Sequence, residues 1–186
     1  MEQKKRAMNI SWSKAFGYRR QKAKGKLGIT DILKTISIFE DLNKRELASV
    51  QRILHQREYE PDEVIFRQEE PGMGMYIIHS GTVTIISEPE GLLLSELSDG
   101  DFFGEIALLD EFPRSATAIA KTGCRVFGFF QPDLFGLIER DPRLGMKIVL
   151  RLARIIAARL RNANEQAFIL NRELQEIKAG TKEMSK

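Results

Sequence analysis

The 186-residue sequence has little of what secreted, metal-dependent or membrane-spanning domains are built on. Its one cysteine, Cys124, excludes an intrachain disulfide, and two distant histidines, His55 and His79, leave no metal-ligand cluster with it. No apolar run approaches the roughly eighteen residues of a membrane-spanning helix. The opening stretch MEQKKRAMNISW lacks the apolar core and cleavage site of a secretory signal, so the expected location is cytoplasmic. GxSxG, Walker and GxGxxG patterns are missing, which removes the usual warrants for hydrolytic and nucleoside-triphosphate chemistry. Six prolines and 14 glycines are too few for a collagenous or low-complexity chain. No catalytic residue, metal or cofactor is expected.

What is there is enough apolar residue, 42%, for one ordinary core with extensions. The net charge of +3 hides a segregation: residues 1–60 carry +7, residues 61–130 carry −8 and residues 131–186 carry +4. An acidic middle between basic ends does not make a uniform nucleic-acid surface. Most of the first excess lies in a tail, residues 1–28, where Trp12, Ala15, Phe16 and Arg19 share a helical face. That face would suit contact with a membrane surface, although such a tail more often stays loose or packs on its own domain.

Beyond the tail, helical spacing predicts Asp31–Ile38, capped by Thr30, and Lys44–His55, capped by Asn43 with Glu46 completing a capping box. From Arg57 to Phe130 the pattern changes to short apolar runs separated by Pro, Gly, Asp and Ser clusters, which suggests a small antiparallel barrel or jelly roll. The helical period then returns in Asp133–Arg140 and, after Asp141-Pro142, in a long helix from about Leu144 to Ile177. In the long helix Met146, Val149, Ala153, Ile156, Leu160, Ala163, Ala167, Leu170, Leu174 and Ile177 alternate three and four residues apart, a coiled-coil seam that points to a homodimer. His79, Cys124 and the Phe-rich set Phe102, Phe103, Phe127, Phe129, Phe130 and Phe135 are read as structural. Cys124 falls at a predicted turn.

The stretch most suited to function is Gly100–Ala120, GDFFGEIALLDEFPRSATAIA. It joins a Gly-rich turn, the carboxylate of Glu105, an apolar run from Ile106 to Leu109, and Arg114 followed by the small residues Ser115 and Ala116. Arg114 offers a planar charged fork to phosphate oxygens. Glu105 can accept from a ribose hydroxyl, backbone N–H groups near Gly104 and Ala107 can face a phosphate, and the small side chains let a ligand approach the backbone. Without a ligand, Glu105 and Arg114 would instead form an internal salt bridge.

Phe103, Gly104, Glu105, Ala107, Leu108, Pro113, Arg114, Ser115, Ala116 and Thr117 resemble the phosphate-binding cassette of the cyclic-nucleotide-binding domain family. Met75–Ile78 with Ser80-Gly81, and Asp99–Asp101, resemble its neighbouring signatures, and the likeness spans about residues 32–160. It implies a mainly β fold, an eight-stranded jelly-roll barrel with flanking N-terminal helices and a long C-terminal lid or hinge helix. It also implies a non-catalytic regulator binding cAMP or cGMP, with Glu105 on the ribose 2′-OH, Arg114 on the cyclic phosphate, Gly104 and Ala107 giving backbone amides and Ser115 a hydroxyl. Ile106 and Ala116 complete the cassette. Asn164 sits at the register where transcription-factor members read the base. The expected organisation is a tail at 1–28, the jelly roll at 29–143, the long helix at 144–178 and a disordered end at 179–186. After Ile177 too little chain remains for a helix-turn-helix, so DNA is not an expected partner, whereas an unidentified protein effector is. The family pattern has glycine where this chain has Glu69 and an acidic residue where it has Met73; Gly72 and Gly74 are expected to supply the lost turn freedom. A jelly-roll interaction module without nucleotide is the alternative.

Overall fold

A computed structural model of the chain describes residues 28–183, with side chains to residue 178. The tail at 1–27, with its suggested membrane face, and residues 184–186 lie outside the described residues.

Two helices come first. Helix α1 (Ile29–Thr35) starts from Gly28, whose carbonyl accepts from the N–H groups of Asp31 and Ile32 at 2.9 and 3.3 Å. Thr30, the expected cap, lies inside the helix and donates its hydroxyl to Gln51 Oε1 at 2.9 Å. Helix α2 (Lys44–Gln51) has the expected capping box: Asn43 Oδ1 accepts from Arg45 and Glu46 N–H, and Glu46 Oε2 accepts from Asn43 N–H at 2.7 Å. It stops at Gln51, short of His55, because His55–Tyr59 leaves it as strand β1, pairing antiparallel with β8 (Cys124–Phe130) from His55 opposite Gly128 to Tyr59 opposite Cys124. This strand reads HQREY and is largely exposed, so it carries no apolar alternation to announce it. Cys124, expected at a turn, opens β8 and is buried, its thiol 3.2 Å from the Thr82 carbonyl.

The other strands are β2 (Val64–Phe66), β3 (Gly74–Ser80), β4 (Val83–Ser87), β5 (Leu92–Leu97), β6 (Phe102–Phe103) and β7 (Thr117–Ala120). They form two antiparallel four-stranded sheets, ordered β1-β8-β3-β6 and β2-β7-β4-β5. The arrangement is jelly-roll-like, but the expected closed barrel is not formed. Two of the edge strands, β6 with two residues and β2 with three, are too short to carry a hydrogen-bond ladder from one sheet to the other. Side chains alternate across the pleat. Ile78, Val83, Leu97, Phe103, Ala118, Ala120, Cys124 and Val126 form one buried cluster, joined at its margin by Tyr59, Phe66 and Tyr76. On the other face of β8, Phe129 meets Phe39, from the loop after α1, edge to face at 6.3 Å. Phe102, Phe127 and Phe129 fill the core as expected, but Phe135 is exposed.

Helix α3 (Gln131–Arg140) begins two residues early because Asp133 Oδ2 accepts from Phe130 N–H at 3.3 Å. Asp141 likewise caps α4 (Pro142–Glu183), accepting from Leu144 N–H at 3.1 Å, and Pro142 sits where its missing N–H leaves no bond unmade. The helix therefore starts before Leu144 and runs to Glu183, five residues into the stretch expected to be disordered. The chain divides after Arg151 into two compact units. In the first, Lys147 Nζ reaches Glu46 Oε1 at 2.6 Å, and Arg151 pairs with Glu40 Oε1 and Asp41 Oδ2, each at 2.6 Å. In the second, the seam residues Leu160, Leu170 and Leu174 are exposed.

Candidate functional site

The cassette is built where β6 ends and before β7 begins. Gly104 has φ of +73°, a conformation glycine adopts without steric cost, and it turns the chain out of β6 into a single 3-10 turn, Glu105–Leu108. That turn buries Glu105, Ala107 and Leu108 and leaves Ile106 and Leu109 exposed. The Ala107 N–H, expected to face a phosphate, closes the turn onto the Gly104 carbonyl at 3.3 Å, a long bond.

Arg114 then returns into the protein and is only 7% exposed. Its backbone is zipped to the turn after β2: Arg114 N–H donates to Glu70 O, and Glu69 N–H donates to Arg114 O, both at 2.9 Å. Its Nη1 donates to Gly104 O at 3.2 Å, whereas its buried Nε has no hydrogen-bond partner. Among the described residues Arg114 forms no ion pair, so the internal salt bridge with Glu105 is not made. The guanidinium carbon lies 4.1 Å from the centre of the Phe66 ring. Burial pulls the Arg114 pKa below its ordinary value, while Tyr76, Glu105 and Glu70 pull the other way. A cation stripped of water without a bound counter-charge is costly, and an anion that reaches it recovers that cost.

The turn holding Arg114 departs from the family pattern in residue but not in shape. Glu69 itself takes φ of +65° where the family has glycine. The expectation that Gly72 and Gly74 take over this freedom is not met, since neither has positive φ; both are needed for close approach. A Cβ on Gly72 would lie 2.9 Å from Arg114 Nε, and one on Gly104 2.6 Å from Nη1.

Behind the cassette, fully buried Thr117 accepts from Gln68 N–H at 2.8 Å and donates to Glu88 Oε1 at 2.7 Å, while Gln68 Oε1 accepts from Glu88 N–H at 2.9 Å. Gly104, Glu105, Ile106, Ala107, Arg114, Ser115 and Ala116 thus stand on one continuous element between β6 and β7, with Ser115 exposed and Ala116 buried. Asn164 is exposed on α4 in the second unit. Sequence reasoning missed Phe66 and Gly72 as partners of Arg114; nothing in the order of residues links positions 66 and 72 to 114 until β2 pairs with β7. Among the described residues no cluster of His, Cys, Asp and Glu suits a metal ion, and no helix is long and apolar enough to cross a membrane.

The cyclic nucleotide-binding domain family matches residues 56–141. The chain is 31% identical over 144 residues to a cyclic AMP receptor protein of Thermus thermophilus, a match covering 76% of this chain and 65% of that one. It is 34% identical over 118 residues to a cAMP-dependent protein kinase regulatory subunit of Yarrowia lipolytica, covering 59% and 32%. The chain therefore spans less than two thirds of either relative. The crystal structure of the Thermus thermophilus catabolite activator protein superimposes with a TM-score of 0.65 at 31% identity, over 73% of this chain and 63% of that one. The Yarrowia lipolytica relative is named a regulatory subunit and the Thermus thermophilus relative a receptor protein. Among the described residues no helix-turn-helix is present. The matched segment, residues 56–141, holds the whole cassette and, but for His55, both sheets, and it is this segment that is similar to the cyclic nucleotide-binding domain family.

Proposed function

We propose that this chain is a non-catalytic regulatory protein that binds cAMP or cGMP at Gly104–Ala116 and passes the binding event to its C-terminal helix. The observation that carries the reading is Arg114: a cation buried to 7% exposure, without an ion pair among the described residues, in the cassette position the family uses for the cyclic phosphate. In this reading Arg114 takes the phosphate, Glu105 the ribose 2′-OH, Gly104 and Ala107 supply backbone amides, and Ser115 adds its hydroxyl. Both relatives named above carry cyclic AMP in their names, which favours cAMP as the first ligand to try.

Transmission requires the ligand to bind two states with different affinity. The ion pairs of Lys147 and Arg151 with Glu46, Glu40 and Asp41 are contacts that a moving α4 would have to break. The exposed leucines of the second unit suit a homodimer or a protein effector, and the organisation into tail, jelly roll and long helix follows the same reading. The expected location is the cytoplasm. Thermal melts test the binding: saturating cAMP or cGMP raises the unfolding midpoint, because a ligand that binds only the folded state stabilises it. No shift with either nucleotide would leave the jelly roll as an interaction module.

A further inference from the structure

We propose that Phe66 is a positioning residue for Arg114, holding the guanidinium in its receiving geometry before any ligand arrives. The inference rests on the cyclic-nucleotide reading for its ligand, but not for its geometry.

An arginine side chain is long and rotamer-rich, and a buried one without an ion pair has little to fix it. Here the fixing comes from three sides. The Phe66 ring lies under the guanidinium, 4.1 Å from Cζ to the ring centre, within the range of a cation–π contact. Gly104 takes Nη1 through its carbonyl, and its own missing Cβ leaves the room Nη1 occupies. Gly72 lies against Nε and Cζ, where a Cβ would come to 2.9 and 3.1 Å.

Phe66 is itself held. Its ring lies 5.9 Å from Tyr76 and 5.8 Å from Phe103, which stack on each other at 5.6 Å. Tyr76 packs at the margin of the same buried cluster as Tyr59, whose phenol is pushed up to about 12 chiefly by burial. Pairing of Phe66 with Ala118 places this aromatic floor beside the start of β7, three residues after Arg114. A leucine at position 66 would keep the apolar volume and lose the ring face. Prior fixing matters because a ligand that meets an ordered guanidinium does not have to order it.

The test uses the full chain, with cAMP as calorimetric probe and the Arg114 Nε–H proton as an NMR probe without nucleotide. Phe66→Leu weakens cAMP binding roughly three- to thirtyfold, the span of a cation–π contact, while Phe66→Tyr stays within about twofold of the parent. In the unliganded parent the Arg114 Nε–H resonance is displaced upfield by the ring current, and in Phe66→Leu the displacement is gone. Unchanged affinity in Phe66→Leu, equal losses in the leucine and tyrosine variants, or an undisplaced resonance in the parent would each overturn the assignment. If Phe66→Leu does not fold, the parent resonance and the tyrosine variant decide. If the parent binds neither cAMP nor cGMP, the functional reading falls, and the resonance still decides the role of Phe66.

Discussion

The backbone N–H of Glu69 donates to the carbonyl of Arg114 at 2.9 Å, and Glu69 does this from φ of +65°, a conformation that disfavours every residue with a Cβ. The turn that presents Arg114 is therefore kept in shape by hydrogen bonding and at some steric cost. Glu69→Gly removes that cost, which exceeds the extra chain entropy of glycine. We expect a gain of about 0.5–1 kcal/mol in unfolding free energy by denaturant titration. A loss of stability would mean that the Glu69 side chain contributes something the geometry does not reveal.

Arg114 stands at odds with stability and serves binding. Arg114→Ala should weaken cyclic-nucleotide affinity about thirtyfold or more, as measured by calorimetry, because a buried charge pair loses one partner. Arg114→Met should lose binding as well, yet raise the unfolding free energy of the unliganded protein by about 1 kcal/mol, since an apolar side chain replaces a buried cation that has no ion pair. Unchanged affinity in both variants would remove Arg114 from the site.

Thr117 is expected to matter through the turn. Its hydroxyl satisfies Gln68 N–H and Glu88 Oε1 at once, and Thr117→Val leaves both without it. The expected loss is about 1–3 kcal/mol in a denaturant melt. A change within experimental error would show that water replaces the hydroxyl.

The helix contact at Glu46 gives a pH signature. Burial raises the Glu46 pKa, but hydrogen bonds from Lys147 and from the Asn43 N–H outweigh it and leave the group below its ordinary value of 4.5. A carboxylate depressed in the folded state adds stability above its unfolded pKa and loses it as pH falls through the folded value. The stability difference between the parent and Glu46→Gln should therefore be present at about pH 7 and shrink as the pH falls below 4.5 and through the lowered folded value, where the carboxylate takes up its proton. A difference that is constant across this range would exclude the ionised contact.

Much of this was legible in the residues, and the exceptions have physical causes. Seven strands fell in the stretch of short apolar runs because each carries apolar side chains that are buried or half-buried, and the capping box at Asn43 was readable because its hydrogen bonds are local. Strand β1 was not readable: its stability comes from pairing with β8, and HQREY has no apolar face to show. The barrel expectation failed for a similar reason, since closure depends on edge-strand length, and β2 and β6 are very short. In the site, the cassette residues are contiguous and were found together. Phe66 and Gly72 were not, because their contacts with Arg114 arise only when β2 pairs with β7 and the turn after it folds back.

The central claim is that a ring-closed phosphodiester is the counter-charge Arg114 lacks. Isothermal titration of the full chain with cAMP and cGMP tests it most directly. A saturable exchange of heat at one nucleotide per chain, lost in Arg114→Ala, is the predicted result; no heat from either nucleotide at millimolar concentration, with the protein folded, would contradict it.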